Sequence, residues 1–311
     1  MSMIRRLLVT LLVSVVLLAR VAAGAADAPA AAVTLPADAK PGQVVEIALP
    51  GGVPMKFCYC PPGEFRMGLP QTKKEKEQGV GGQVPVRITK GFWLAQTEFT
   101  QAQRTALKLE NRGRVEPPGA KPDHPAWCNG YWIGAHDERS AVGTIAKLSA
   151  AVPLPAGWRF SLPTEAQWEY ACRAGTETFF HFGDALDGTQ ANCNGEYPHG
   201  VATKGPNLGD VCPVASYPPN AWGLYDMHGN AAEWCLDFYA PTLEGGDDPT
   251  GPAAATNPER PERVTRGGGF GSRAVYCGSG ARKNSHLGYH ANGMGFRVAI
   301  VPGDAPPAAE Q

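Results

Sequence analysis

The feature that most constrains this chain is one short helix whose two ends are written into its sequence. Thr164 followed by Gln167 forms a capping box: the hydroxyl takes the N–H three residues on, and the glutamine reaches back to the cap. Gly175 is placed to end the helix in a left-handed turn. Between them, Trp168 and Cys172 read as buried residues. Around this helix the sequence is punctuated by turns. Its 311 residues include 38 glycines and 29 prolines, which predicts a loop-rich fold rather than a helical bundle.

Hydrophobic residues make up 43% of the chain and charged residues 18%, so a packed core is expected. The formal net charge is -1 and no long Lys/Arg run occurs, so electrostatics gives no case for nucleic acid or an anionic membrane.

Residues 1–25 read as an export signal. Arg5-Arg6 is the basic start, Leu7 to Ala19 the apolar run, and Ala23-Gly24-Ala25 a small-residue cleavage site. An uncleaved anchor is the alternative; after cleavage no membrane span is expected. The expected location is secreted, periplasmic or cell-envelope, where the eight cysteines favour disulfides. Residues 26–40 form an Ala/Pro-rich linker, 41–302 one domain and 303–311 a disordered tail.

Within the domain, Val44 to Leu49 and Met55 to Tyr59 predict a hairpin across Gly51-Gly52. Val84 to Leu94 reads as one strand, and Thr100 with Gln103 caps a helix reaching about Leu109. Residues 140–150 are a weaker helix candidate, and 263–301 read as closing strands. Residues 176–222 show no strong periodicity, and so long a stretch in a compact domain is functional or stitched down.

Several strings recur in a fixed order: Pro62-Gly63-Glu64-Phe65-Arg66-Met67-Gly68, then Phe92 to Gln103, Arg159 to Gly175 and Pro213 to Asn220. They continue with Asn220 to Cys235, Arg266-Gly267-Gly268-Gly269-Phe270 and Gly295-Phe296-Arg297. Together, from about Phe57 to Ile300, they resemble the formylglycine-generating enzyme (sulfatase-modifying factor) family. The resemblance implies a mixed α+β, C-type-lectin-like fold with little regular secondary structure.

It also implies chemistry, and here the chain departs. Family enzymes oxidise a sulfatase cysteine in a Cys-x-Pro-x-Arg segment, using a cysteine pair that binds copper(I). The family positions of that pair fall on Ser272 and Cys277. A hard hydroxyl does not replace a soft thiolate on copper(I), so half of that site is missing and copper is not expected. Relatives with a Cys-x-Ser-x-x-Arg string, matched by Cys277 to Arg282, imply a structural disulfide between Cys277 and Cys172; a reactive Cys277 thiol is the alternative. Calcium is implied at Asp226 and Glu233 through side chains, and at Gly229 and Ala231 through carbonyls. Asn230 to Glu233 reads equally as a capping box opening a short helix. A second, weaker calcium site would begin at Asn192 and the carbonyl of Cys193.

Other residues carry blander readings. His286 and His290 lack a third ligand and read as a loop pair. Trp168, Trp222 and Trp234 read as core, and Arg282 and Arg297 as buried ion-pair partners. Cys193 and Cys212 share one loop region and offer one pairing; the partners of Cys58, Cys60, Cys128 and Cys235 stay open.

The leading expectation is a non-canonical binding or accessory module for a protein or peptide partner, a sulfatase among them, or a glycan. The alternatives are a formylglycine-generating oxidase and a structural envelope protein.

Overall fold

The computed structural model describes residues 33–70, 82–109, 121–126, 140–287, 289 and 292–303. The signal segment, Cys128, His290, and most of the tail lie outside them.

The hairpin forms as its sequence predicts: β1 (Val44–Ala48) pairs antiparallel with β2 (Pro54–Cys60). β3 (Gly63–Met67) comes next. The single strand expected over Val84 to Leu94 is instead two, β4 (Val84–Ile88) and β5 (Phe92–Ala95), which join different sheets. The break falls at Gly91, where a Cβ would stand 2.1 Å from the Tyr59 hydroxyl. Only a glycine lets the chain turn that close to the ring.

Both capping boxes close. Thr100 caps α1 (Gln101–Ala106), which ends nearer than the expected Leu109, and Ser140 caps α2 (Ala141–Ala151) through Gly143 N. β6 (Trp158–Ser161) leads into α3 (Glu165–Arg173), capped by Thr164 and closed by Ala174 in the left-handed region at φ 44°. The remaining strands are β7 (Ala232–Phe238), β8 (Gly246–Asp247), β9 (Glu262–Arg266), β10 (Lys283–His286), β11 (Met294–Gly295) and β12 (Ala299–Pro302). The short helix expected from Asn230 is not formed. Asn230 sits at φ 56° and the chain runs straight into β7. Between α3 and β7 the chain makes isolated bridges but no longer strand.

Among the described residues the strands form three sheets, ordered β1-β2-β5-β12-β6, β10-β9-β7-β11 and β3-β4-β8. Alternation along the first sheet divides the interior in two. Phe57, Trp93, Phe160 and Ile300 face one core, with Phe99, Leu148 and Phe296. Cys58, Leu94, Ala299 and Val301 face the other, shared with Trp168 and Ala171 of α3 and with Val264 of β9.

α3 is buried on more than its apolar side. Glu165, Glu169 and Arg173 lie one turn apart on one face and are all buried. Glu169 accepts from Gly68 N at 2.8 Å and Arg173 Nε at 2.9 Å, and its other oxygen closely pairs the Arg266 guanidinium. Glu165 takes Arg282 in a two-pronged contact at 2.6 and 2.7 Å and lies 3.3 Å from Arg266. This ladder ties the helix to all that surrounds it. Glu169→Ala, which strands two buried guanidinium groups, is expected to cost about 3–5 kcal/mol in urea denaturation, against about 1 kcal/mol for Thr164→Ala, which removes only the cap.

Candidate functional site

Arg266 is also the first residue of the Arg-Gly-Gly-Gly string, and the turn it opens frames a groove of about 520 Å³. Gly267 and Gly268 take left-handed angles, φ 82° and 67°. A Cβ on Gly267 would stand 3.3 Å from the Trp168 ring, and one on Gly268 2.7 Å from the Cys277 sulfur. The turn is then stapled by its own backbone and one hydroxyl. Ser272 N donates to Gly269 O at 2.8 Å, and Gly269 N donates to Ser272 Oγ at 3.0 Å. Phe270 N is anchored on Asn230 O at 2.9 Å. The groove wall is completed by Phe270, Tyr276, Lys283 and Tyr289. Tyr276 is 63% and Tyr289 43% exposed, and the Lys283 ammonium lies 5.6 Å from the Tyr289 ring centre.

Ser272 and Cys277 are brought to the same turn, but only Ser272 lines the groove. Cys277 is fully buried. Its thiol is hydrogen-bonded to that of Cys193, which raises the Cys277 pKa well above the ordinary thiol value; burial adds to the rise. The same bond lowers the pKa of Cys193. The expected partner, Cys172, is elsewhere. Its sulfur lies 3.8 Å from both Met227 O and His228 Nε2, and burial pushes its thiol up to about 12. His228 stands between the two regions. Its Nδ1–H donates to Cys277 O at 2.6 Å and its Nε2 accepts from His181 N at 3.1 Å. Burial pushes His228 down to about 3, so the ring is neutral. The structure draws no bond between Cys277 and Cys172: all seven described cysteines are free thiols, and Cys277 packs with Cys193 in one apolar cluster. The Cys212 sulfur lies 3.5 Å from Asn230 Oδ1.

The expected calcium residues each have partners within the protein. Glu233 is spent: its oxygens take Arg297 Nη2 at 2.6 Å, Arg297 Nε at 2.7 Å and Trp168 Nε1 at 2.7 Å, all fully buried. The Arg297 guanidinium thus balances the charge of this buried carboxylate. Asp226, at φ 55°, accepts from Ala215 N at 2.6 Å. Beside it stands Glu98, to which no sequence motif pointed. Glu98 Oε1 accepts from Asn230 Nδ2 at 3.0 Å and Ala231 N at 3.3 Å, whereas Oε2 is buried and meets no donor. Burial pushes Asp226 up to about 6; burial and the charge of Asp226 push Glu98 well above the usual carboxylate range. Gly229 N donates to Gly267 O at 2.8 Å, so that residue joins the turn of the groove. Asn192 Nδ2 donates to Asn230 Oδ1 at 3.0 Å, and Asn192 Oδ1 is buried without a donor. Among the described residues no three His, Cys, Asp or Glu side chains converge as a metal cage. An acidic residue inside the otherwise mostly apolar and uncharged string Phe92 to Thr100 was the available signal for Glu98.

Residues 54–301 match the sulfatase-modifying factor enzyme 1-like domain family. The chain is 36% identical over 149 residues to the formylglycine-generating enzyme of Streptomyces coelicolor, a stretch covering 44% of this chain and 46% of that one. It is 28% identical over 286 residues to the formylglycine-generating enzyme of Thermomonospora curvata, covering 78% and 92%. The structure of PvdO from Pseudomonas aeruginosa superposes with a TM-score of 0.65 at 26% identity, over 84% of this chain and 99% of that one. The chain belongs to the sulfatase-modifying factor enzyme 1-like family and has its loop-rich, C-type-lectin-like fold.

The glycine turn makes this site sensitive to a single methyl group. Gly268→Ala combines a left-handed backbone with a clash against the Cys277 sulfur, and is expected to cost about 2–4 kcal/mol, read as a lowered denaturation midpoint.

Proposed function

We propose that this chain is a non-canonical family member that binds a peptide segment of a protein partner in the groove and does not oxidise it. The observation that carries this reading is Ser272, the side chain at the groove where the family resemblance calls for a thiol. Its hydroxyl is held by Gly269 N, and Cys277 is buried behind the turn. The pair at 272 and 277 does not suit copper(I), because an alcohol is a hard ligand with a high pKa. What the groove offers instead is recognition. Exposed Tyr276 and Tyr289 present flat amphipathic surface of the kind enriched at protein interfaces, with Lys283 beside them to meet an acidic group.

A fluorescent peptide carrying a sulfatase Cys-x-Pro-x-Arg segment tests this. Saturable binding weakened about tenfold by Tyr276→Ala, with no formylglycine formed when copper is added, is the expected result. Copper-dependent turnover abolished by Cys277→Ser would replace the binding reading with the oxidase one.

We propose further that Asp226 and Glu98 share a hard cation such as calcium with main-chain oxygens. The support is the donorless, buried Glu98 Oε2 beside Asp226. Bound calcium would offset the charge of two carboxyl groups that burial makes costly to ionise. The sign comes from the raised pKa. Without calcium, Asp226 binds a proton more tightly in the folded than in the unfolded chain, so its contribution to stability declines as pH rises from about 4 to about 6. With millimolar calcium the melting temperature is expected to rise at pH 7.5 and barely change at pH 5, and Asp226→Asn should abolish the response. No calcium shift at pH 7.5 would refute the site.

A further inference from the structure

We propose that Cys193 and Cys277 form a disulfide that locks the Ser272 wall of the groove onto the loop around residues 191–197. This crosslink is independent of what the groove binds.

Two backbone hydrogen bonds join the segments that carry the cysteines. Asn194 N donates to Ser272 O at 2.9 Å, and Ala274 N donates to Tyr197 O at 3.1 Å. Asn194 and Arg273 are thereby bridged as in a parallel ladder, and the Arg273 guanidinium covers the Tyr197 ring at 4.4 Å. These contacts tie the two chain segments together. The thiols themselves are in hydrogen-bonding contact. Around them close Phe180, Leu186, Ala191 and Ala274, an apolar cluster distinct from the two main cores. Among the described residues neither sulfur has a competing thiol. Cys172 is taken up with Met227 O and His228, and Cys212 with Asn230.

The segments that would be joined are already tied by backbone hydrogen bonds, and both sulfurs belong to one apolar cluster. Two S–H bonds break and one S–S bond forms. The two electrons and two protons pass to a disulfide oxidant, whose own S–S bond opens to two thiols. Cys193 is 1% and Cys277 0% exposed, so the exchange takes place as the chain folds and the product is then shielded from reductant. The crosslink spans a long stretch of sequence, the case in which restricting the unfolded chain stabilises most. Its effect in the native state is local: the turn that carries Ser272 and Tyr276 can no longer part from the loop beneath it.

The test uses the full chain refolded with oxidised glutathione, alkylated without reduction and cut with trypsin. Cys193 falls in the peptide 174–204, Cys277 in 274–282 and Cys172 in 160–173. The expected product joins 174–204 to 274–282. Both peptides recovered as alkylated thiols, or 274–282 joined to 160–173, would overturn the proposal. As a second readout, Cys193→Ala, Cys277→Ala and the double variant should all lose a similar amount of thermal stability, about 10 °C. Additive losses in the double variant would mean that the two sulfurs are not bonded.

Discussion

Arg266 is the residue on which the rest of the structure leans. It is fully buried, its guanidinium is held by Glu169 and Glu165 of α3, and it also donates to Ala281 O at 2.6 Å. A buried cation is tolerated only when its partners are fixed in place. That requirement runs in both directions. The helix is held by Arg266, and the Arg-Gly-Gly-Gly turn can start only where the helix puts its carboxylates. Through Glu169 the same ladder reaches Gly68 and the β3–β4 hairpin; through Glu165 it reaches Arg282 behind the groove.

A second buried pair, Arg297 with Glu233, does for the other side of the site what Arg266 does for this one. Arg297 comes from the segment before β12 and also donates to Ala95 O at 3.1 Å and Tyr225 O at 3.0 Å. It thus joins the first sheet to the loop that carries Asp226. The effect is a division of labour among acids. Glu233 is neutralised by an arginine and serves structure. Asp226 and Glu98 face each other with an oxygen to spare, which is the arrangement that either keeps a proton or takes up a metal ion.

The groove is built almost without regular structure. Glycines at left-handed angles let the chain pass within contact of Trp168 and Cys277, and main-chain hydrogen bonds fix the turn once it is there. Side chains are then free to present a surface, and those presented are aromatic and hydroxylic. The reactive-looking sulfur lies behind this wall, against Cys193. A loop of this kind depends on stitching from beneath, and the Asn194–Ser272 and Ala274–Tyr197 hydrogen bonds supply it.

Local rules in the sequence settled the parts of the fold that depend on near neighbours. The Thr100 and Thr164 capping boxes, the β1–β2 hairpin and the closing strands were all legible, because each is decided within a few residues by a cap, a turn or an alternation of apolar side chains. The ordered motifs were legible too, and with them the family and its fold. Only the tertiary structure decided how distant groups were paired. Glu233, expected from the resemblance as a calcium ligand, is paired with Arg297, far along the chain. Asn230 looked like the start of a helix, but its side chain serves Glu98 and Cys212 instead. Cys277 looked paired with Cys172, yet its sulfur meets Cys193. Each of these outcomes is a competition among buried polar or thiol groups for partners, and burial makes an unmet partner costly enough that the whole fold, not the local string, chooses the winner.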